Sequence, residues 1–388
     1  MQQRSWPEQA FQFGFFFFGY YGFVGVFSPY VSLYFSDAGM TAVQIGILMS
    51  LIQVMRIFGP NLWGWISDKL QKRVLVLRLT AAGALASFIG MYFGETFAQF
   101  FIVMVLLNIF TSAQGPMSEA LMLTEMKGDL THYGMLRLWG SVGYIIAVMA
   151  AGLLLDWRGI GLFPWVGLVL LGLVLFASMR LKEAPPAQTR QKAPSVMALL
   201  KRREIIAYLT SACLMIAAHT SLYLFFSLYM EQLGYSKMMI GLMWALSVVA
   251  EIAFFFYQAP IFRRVGVQRL MLFSLGIAVV RFLMVGFGSE SLLLLLIAQV
   301  LHAATFAAHH SSMIMSLQRW FSGPLQARGQ ALYISVSYGL GGTLGGIGFS
   351  YVWDHFSPQA VYVAAAIVAL GGLFAAVLSF RWQAAVSR

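Results

Sequence analysis

The sequence predicts an all-α membrane protein of twelve transmembrane helices arranged as two pseudo-symmetric six-helix bundles. Three observations carry this. The 388 residues include only 25 Lys or Arg and 14 Asp or Glu, so 10% are charged while 60% are hydrophobic. Soluble domains carry about 25% charged residues, and disordered chains are poorer still in apolar ones. The mean hydropathy is +0.78, and the apolar residues gather into twelve runs of spanning length. Backbone polar groups find no partners in lipid, so such runs must be helices unless strands close into a barrel. The alternating ten-residue segments of a barrel are missing here.

The run at 10–35 is too long for the apolar core of a cleavable signal and reads as a first span. Runs at 43–66 and 74–94 flank a basic loop. Those at 98–123, 137–155 and 160–179 complete a first set of six. The segment 181–204 holds Pro185, Pro186, Pro194 and several basic residues, the composition of a linker. It divides the chain into an N-terminal bundle, 1–180, and a C-terminal bundle, 205–388. The second set covers 205–230, 238–260, 270–287, 291–315, 328–352 and 358–380. Each run allows the ~20 residues that a span requires.

The net charge of +11 invites a nucleic-acid reading, which the placement of the charge excludes. With the N-terminus inside, 20 of the 25 basic residues fall on the inner side, and only Arg158 and Lys237 lie in outer loops. This asymmetry expects both termini and the linker in the cytoplasm, facing anionic headgroups. Three basic residues remain, Arg56, Arg137 and Arg281, within spans or at their ends. A single cysteine, Cys213, excludes an intrachain disulfide and a four-cysteine metal site. No H-E-x-x-H or Cys/His pattern occurs to support a metal, and no cofactor is expected.

A buried charge in a membrane needs a partner or a water-filled cavity. Arg56 lies 12 residues before Asp68, about 18 Å along a helix and so near mid-membrane. Either it pairs with an acid such as Glu119, or it lines a cavity and meets an anion. Glu251 and Arg281, on neighbouring spans, form either a proton-loading site or a static ion pair. On the tenth span His302 and His309 are seven residues apart, about 10 Å along the axis, too far to share a metal. His219, His309 and His310 either serve function or bond neighbouring helices. The glycines from Gly339 to Gly348 permit either close packing or sliding.

The stretch Gly64-Trp65-Ile66-Ser67-Asp68-Lys69-Leu70-Gln71-Lys72-Arg73 resembles the loop signature of the major facilitator superfamily, with Gln71 where that pattern has glycine. Phe262-Arg263-Arg264-Val265-Gly266 is a degenerate copy in the second half. Tyr133 to Tyr144 resembles the phenylpropionate permeases and, more distantly, lactose permease and its oligosaccharide–proton symporter relatives. Pro116-Met117-Ser118-Glu119-Ala120 is similar to the lactose permease segment bearing the sugar-binding acid. The resemblance implies that Glu119 and Arg137 form the core of a substrate site, and that Glu251, Arg281 and His302 couple protons. Thr305 stands where lactose permease has its main proton-carrying acid, so that route does not transfer whole.

The expected function is proton-coupled uptake of a small organic solute by alternating access. The protein is expected in the bacterial inner membrane as a monomer. Arg56, Glu119, Arg137 and Tyr30 are the candidates for substrate binding, and Gly64, Asp68, Lys69 and Arg73 for a conformational gate. Gly64 is expected to allow close helix approach. Two arginines against one acid favour an anion, and the resemblance points to an aromatic carboxylate such as 3-phenylpropionate. The alternatives are a neutral sugar or nucleoside, a non-transporting sensor, or a membrane enzyme built on Glu251 and His302, for which no nucleophile is in view.

Overall fold

The computed structural model describes residues 6–125, 130–183, 199–322 and 325–386. Most of the linker, together with Arg4, Lys127, Arg190, Lys192 and Arg388, lies outside the described residues. Those described are nearly all helical, and no strand occurs among them. The helices are α1 (Trp6–Asp37), α2 (Ala42–Leu70), α3 (Arg73–Phe93), α4 (Phe97–Glu125), α5 (Leu130–Arg158), α6 (Phe163–Arg180), α7 (Arg203–Gln232), α8 (Lys237–Val265), α9 (Val267–Phe287), α10 (Leu292–Trp320), α11 (residues 326–355) and α12 (Pro358–Val386). Eleven of them are long and apolar enough to cross a membrane. The other, α11, is glycine-rich and contains a π-helical stretch at Ile334–Gly341.

Two compact units result: Met1–Gln188 with Tyr235–Ala245, and Thr189–Gly234 with Leu246–Arg388. Each is organised around its first helix. In the first unit α1 packs against α5 and α6, and in the second α7 packs against α11 and α12. Both central contacts depend on glycine. A Cβ at Gly25 of α1 would lie 2.7 Å from the Tyr144 carbonyl oxygen of α5. In the second unit a Cβ at Gly345 of α11 would lie 2.6 Å from the Ala217 carbonyl oxygen of α7, and one at Gly341 would strike the Cys213 carbonyl. These α11 glycines therefore serve close packing.

Helix ends are finished by side chains. Thr41 and Thr96 form capping boxes with Gln44 and Gln99. Glu183, just beyond α6, accepts from the Arg73 and Val74 N–H groups at 2.9 and 3.1 Å and so caps the start of α3. Arg78 of α3 donates to the carbonyls of Ser178, Met179 and Leu181 at the end of α6. Carboxylate at an N-terminus and guanidinium at a C-terminus each complement the helix dipole. The first unit also includes the start of α8: Asp156 accepts from the Lys237 and Met238 N–H groups at 2.7 and 2.9 Å.

The loop between α2 and α3 turns at Gln71, a non-glycine residue with φ of 54°. A side chain in this left-handed conformation costs about 1 kcal/mol relative to glycine. Gln71 recovers part of that through an amide bond to the Asp68 carbonyl at 2.6 Å. Gly266 turns the corresponding loop between α8 and α9 with φ of 81°. Gln71→Gly is accordingly expected to leave thermal stability in detergent unchanged or raise it by a degree or two. A melting temperature lowered by several degrees would show that the amide bond outweighs the backbone strain.

Candidate functional site

The first unit gathers one cluster from four helices. On α2, Arg56 is exposed and donates from Nη1 to Gln53 Oε1, one turn earlier, at 3.2 Å. Pro60, four residues on, has no N–H to offer the Arg56 carbonyl. Helix α4 breaks at Ser112 and Ala113, between segments Phe97–Thr111 and Gln114–Glu125. Pro116 cannot donate to Ser112, which accounts for the break. The second segment carries Glu119.

Glu119 Oε1 accepts from Arg137 Nε of α5 at 3.1 Å and from the Tyr21 hydroxyl of α1 at 3.3 Å. The Arg137 guanidinium lies 3.9 Å from the centre of the Tyr21 ring. Tyr21 thus contacts both charges, as a hydrogen-bond donor to one and a π-face to the other. Its ring packs edge to face on Tyr20 at 5.0 Å, and Tyr20 lies within electrostatic reach of Arg56, Glu119 and Arg137. The sequence alone singles out the three charged residues. It misses Tyr21 and Gln53, whose one signal is spacing on α1 and α2 beside a charge.

Tyr30 does not join this cluster. It is fully buried, and its hydroxyl lies 2.9 Å from the carbonyls of both Val148 and Lys237. The loop residues also sit apart from it. A Cβ at Gly64 would meet nothing within 4 Å, so no close helix contact requires glycine there, contrary to expectation. Lys69 places its ammonium 5.4 Å from the Trp65 ring centre. Arg73 Nη1 donates to Thr124 Oγ1 at 3.1 Å, which ties α3 to the end of α4. Asp68 is part-buried at the end of α2.

A second cluster lies within the second unit. His302 Nε2 of α10 is 3.0 Å from Glu251 Oε1 of α8. Arg281 of α9 is 1% exposed, and it bonds the Ala298 carbonyl through Nε at 2.6 Å and Thr305 Oγ1 through Nη1 at 3.3 Å. Glu251 is thus paired to His302, while Arg281 gives its hydrogen bonds to Ala298 and Thr305. A carboxylate and an imidazole at this separation can share a proton. Helix α10 widens into a π-helical segment, Ala303–Ala307, immediately after His302. Such segments often mark functional sites. This one holds Thr305, which also lies 3.3 Å from Nε2 of the buried His219 on α7. His302, Phe306 and His310 form a parallel stack along α10, and His310 reaches the Tyr333 hydroxyl at 3.3 Å. Among the described residues no group of three or more His, Cys, Asp or Glu side chains gathers as a metal would need.

The sequence matches the MFS_1-like family over residues 11–364. It is 30% identical over 370 residues to a probable 3-phenylpropionic acid transporter of Escherichia coli, covering 92% of this chain and 94% of that one. It is 28% identical over 372 residues to the maltose permease of Geobacillus stearothermophilus, covering 94% and 92%. The fold is similar to the crystal structure of the nucleoside transporter NupG, with a TM-score of 0.86, 18% identity, and 96% and 99% of the two chains covered. The chain belongs to the MFS_1-like family and is a multi-pass membrane transporter of the major facilitator type.

Proposed function

We propose that the protein is a proton-coupled symporter importing an aromatic carboxylate, such as 3-phenylpropionate, by alternating access. The observation that carries this reading is the charge balance of the first cluster. Glu119 is engaged by Arg137 and Tyr21, while Arg56 adds a second guanidinium to the one carboxylate. A cluster with two cations and one anion suits an anionic solute, and a guanidinium holds a carboxylate through two parallel hydrogen bonds. Tyr20 and Tyr21 add aromatic surface of the kind a phenyl ring stacks on. The 30% identity to a probable 3-phenylpropionic acid transporter supports the same substrate class.

In this reading Arg56, Glu119 and Arg137 bind substrate, and Glu251, His302 and Arg281 handle the proton. Tyr30 is left out, because its hydroxyl is engaged with backbone carbonyls. The loop from Gly64 to Arg73, tied to α4 and α6 through Arg73, Thr124 and Glu183, acts as the conformational gate. The bundles 1–180 and 205–388 work as the two halves of a monomer in the bacterial inner membrane, with the linker 181–204 and both termini cytoplasmic. A second reading, a neutral sugar or nucleoside, is favoured by the self-neutralised Glu119–Arg137 pair, which can bond hydroxyls without needing an anion. It also fits the names of the maltose and nucleoside permease relatives.

Uptake into proteoliposomes separates the two. Arg56→Gln should reduce 3-phenylpropionate uptake about tenfold to a hundredfold, the effect of losing a charge-assisted hydrogen bond of about 1.5–3 kcal/mol. Unchanged carboxylate uptake in that variant, with maltose or uridine accumulated by the wild type, would establish the neutral-solute reading instead. Glu251→Gln should abolish accumulation against a gradient while sparing exchange of substrate for substrate. Full uphill transport by Glu251→Gln would remove Glu251 from coupling, and wild-type accumulation untouched by an uncoupler would end the symport reading altogether.

A further inference from the structure

We propose that His219 is a second protonation site of the C-terminal unit, holding the coupled proton alternately with the Glu251–His302 pair. The inference rests on the proton-coupled reading above and on the hydrogen bonds of two buried imidazoles. His219 is completely buried on α7, and both of its ring nitrogens have partners. Nδ1 lies 2.9 Å from the Met215 carbonyl oxygen one turn earlier. A carbonyl only accepts, so Nδ1 carries a hydrogen and Nε2 of the neutral ring carries the lone pair. That lone pair faces Thr305 Oγ1 at 3.3 Å.

Thr305 is the pivot. Its oxygen accepts from Arg281 Nη1 at 3.3 Å, and its single hydroxyl proton has two acceptors within reach: His219 Nε2 and, also at 3.3 Å, the His302 carbonyl oxygen. With His219 neutral, the hydroxyl donates to Nε2. When a proton binds Nε2, the new N–H donates to Thr305 Oγ1 and the hydroxyl turns to the His302 carbonyl. Every polar group stays bonded in both states. A buried polar group left unsatisfied costs about 1–3 kcal/mol, and a network that serves both states avoids that cost.

His302 lacks this provision. Its Nε2 faces Glu251, and its buried Nδ1 has no partner. A second proton on that ring would create a buried N–H without an acceptor. The His219 and His302 ring centres are 5.7 Å apart, a gap that one water molecule or a small ring motion closes. In the transfer the O–H bond of the Glu251 carboxyl breaks and an N–H bond forms at His219 Nε2, so that Glu251 becomes an anion, His219 a cation, and His302 is neutral before and after. The total charge of the unit is the same before and after.

The ionisable groups acting on His219 include Arg281 of α9 and His302 of α10. Tyr223 stands one turn along α7, and His309 of α10 also interacts with His219. From α12, Tyr362 acts on Arg281, while α11 presents glycine to α7 at Gly341 and Gly345. Glu251 of α8, within reach of Arg281, supplies the offsetting negative charge once its proton has moved.

The test joins spectroscopy to transport. Nitrogen-15 NMR of the purified full chain, labelled at its six histidines, reads protonation directly, with His219→Gln assigning the His219 signal. At high pH the signal should report a neutral ring protonated at Nδ1, and it should convert to the doubly protonated form as the pH is lowered. Thr305→Val, which removes the pivot but keeps the side-chain shape, should weaken His219 proton affinity about tenfold, a shift of one pH unit. In proteoliposomes His219→Gln should lose uphill accumulation of the solute that the wild type takes up from 3-phenylpropionate, maltose and uridine, while keeping exchange. A His219 signal that never titrates overturns the proposal, as does one protonated at Nε2 at high pH. Uncoupler-sensitive transport in the wild type with undiminished accumulation in His219→Gln overturns the role of His219 alone. Uncoupler-insensitive transport in the wild type overturns proton coupling, and this proposal with it.

Discussion

Charge buried among membrane-spanning helices is costly unless each charged group finds a partner, and that constraint orders both clusters in this chain. Glu119 is bonded by Arg137 and Tyr21, Glu251 by His302, and Arg281 by a carbonyl and a hydroxyl. Each contact draws residues from different helices, so charge satisfaction also fixes how those helices pack. The same constraint explains why polar side chains gather on α7. His219, Thr220 and Ser221 lie on the helix that the second unit surrounds, where each finds a carbonyl or hydroxyl within reach.

The two acids differ in the partner they were given, and the difference is chemical. Arg137 holds its proton at any ordinary pH, so the Glu119–Arg137 pair keeps its charges and its geometry. His302 is an imidazole, and imidazole gains and loses protons near neutrality. One unit therefore holds a fixed dipole beside an additional guanidinium, which suits recognition. The other holds a pair able to exchange a proton, which suits coupling. In the second unit Arg281 gives its hydrogen bonds to Thr305 and Ala298, and Glu251 is bonded by the histidine. A direct Glu251–Arg281 pair would have been inert by the same chemistry that makes Glu119–Arg137 stable.

Much of this was legible in the sequence because hydropathy and charge act over whole spans. The twelve apolar runs correspond to twelve helices, and the isolated charges within them met as Glu119 with Arg137 and Glu251 with His302. What escaped depends on helix rotation and on contacts that carry no compositional mark. Tyr21 looks like any residue of an aromatic run until its ring is found 3.9 Å from a guanidinium. Tyr30 looked like a cavity residue, yet it bonds two backbone carbonyls. Gly64 looked like a packing glycine, yet its surroundings are open. Gln71 departs from the family pattern, and only its φ of 54° reveals why glycine stands at that position elsewhere. The link from His219 to Thr305 joins residues 86 positions apart, which no local pattern encodes.

The deepest correspondence between the halves lies in where their helices are interrupted. The fourth helix of the first unit breaks at Ser112 and Ala113, shortly before Glu119, and the fourth helix of the second unit, α10, widens into a π-helical segment directly after His302. The causes differ: a proline removes a backbone donor in α4, whereas α10 accommodates an extra residue per turn while keeping its ladder. The outcome is shared. In each unit the interruption lies on the helix that carries one partner of the acid pair, and it re-aims the side chains that follow. Irregular helices at matching positions of a repeated fold are where such transporters place their binding and coupling sites, because a straight helix cannot offer polar groups to a solute without leaving its own backbone unsatisfied. A helix interruption and one partner of an acid pair thus coincide on α4 and again on α10.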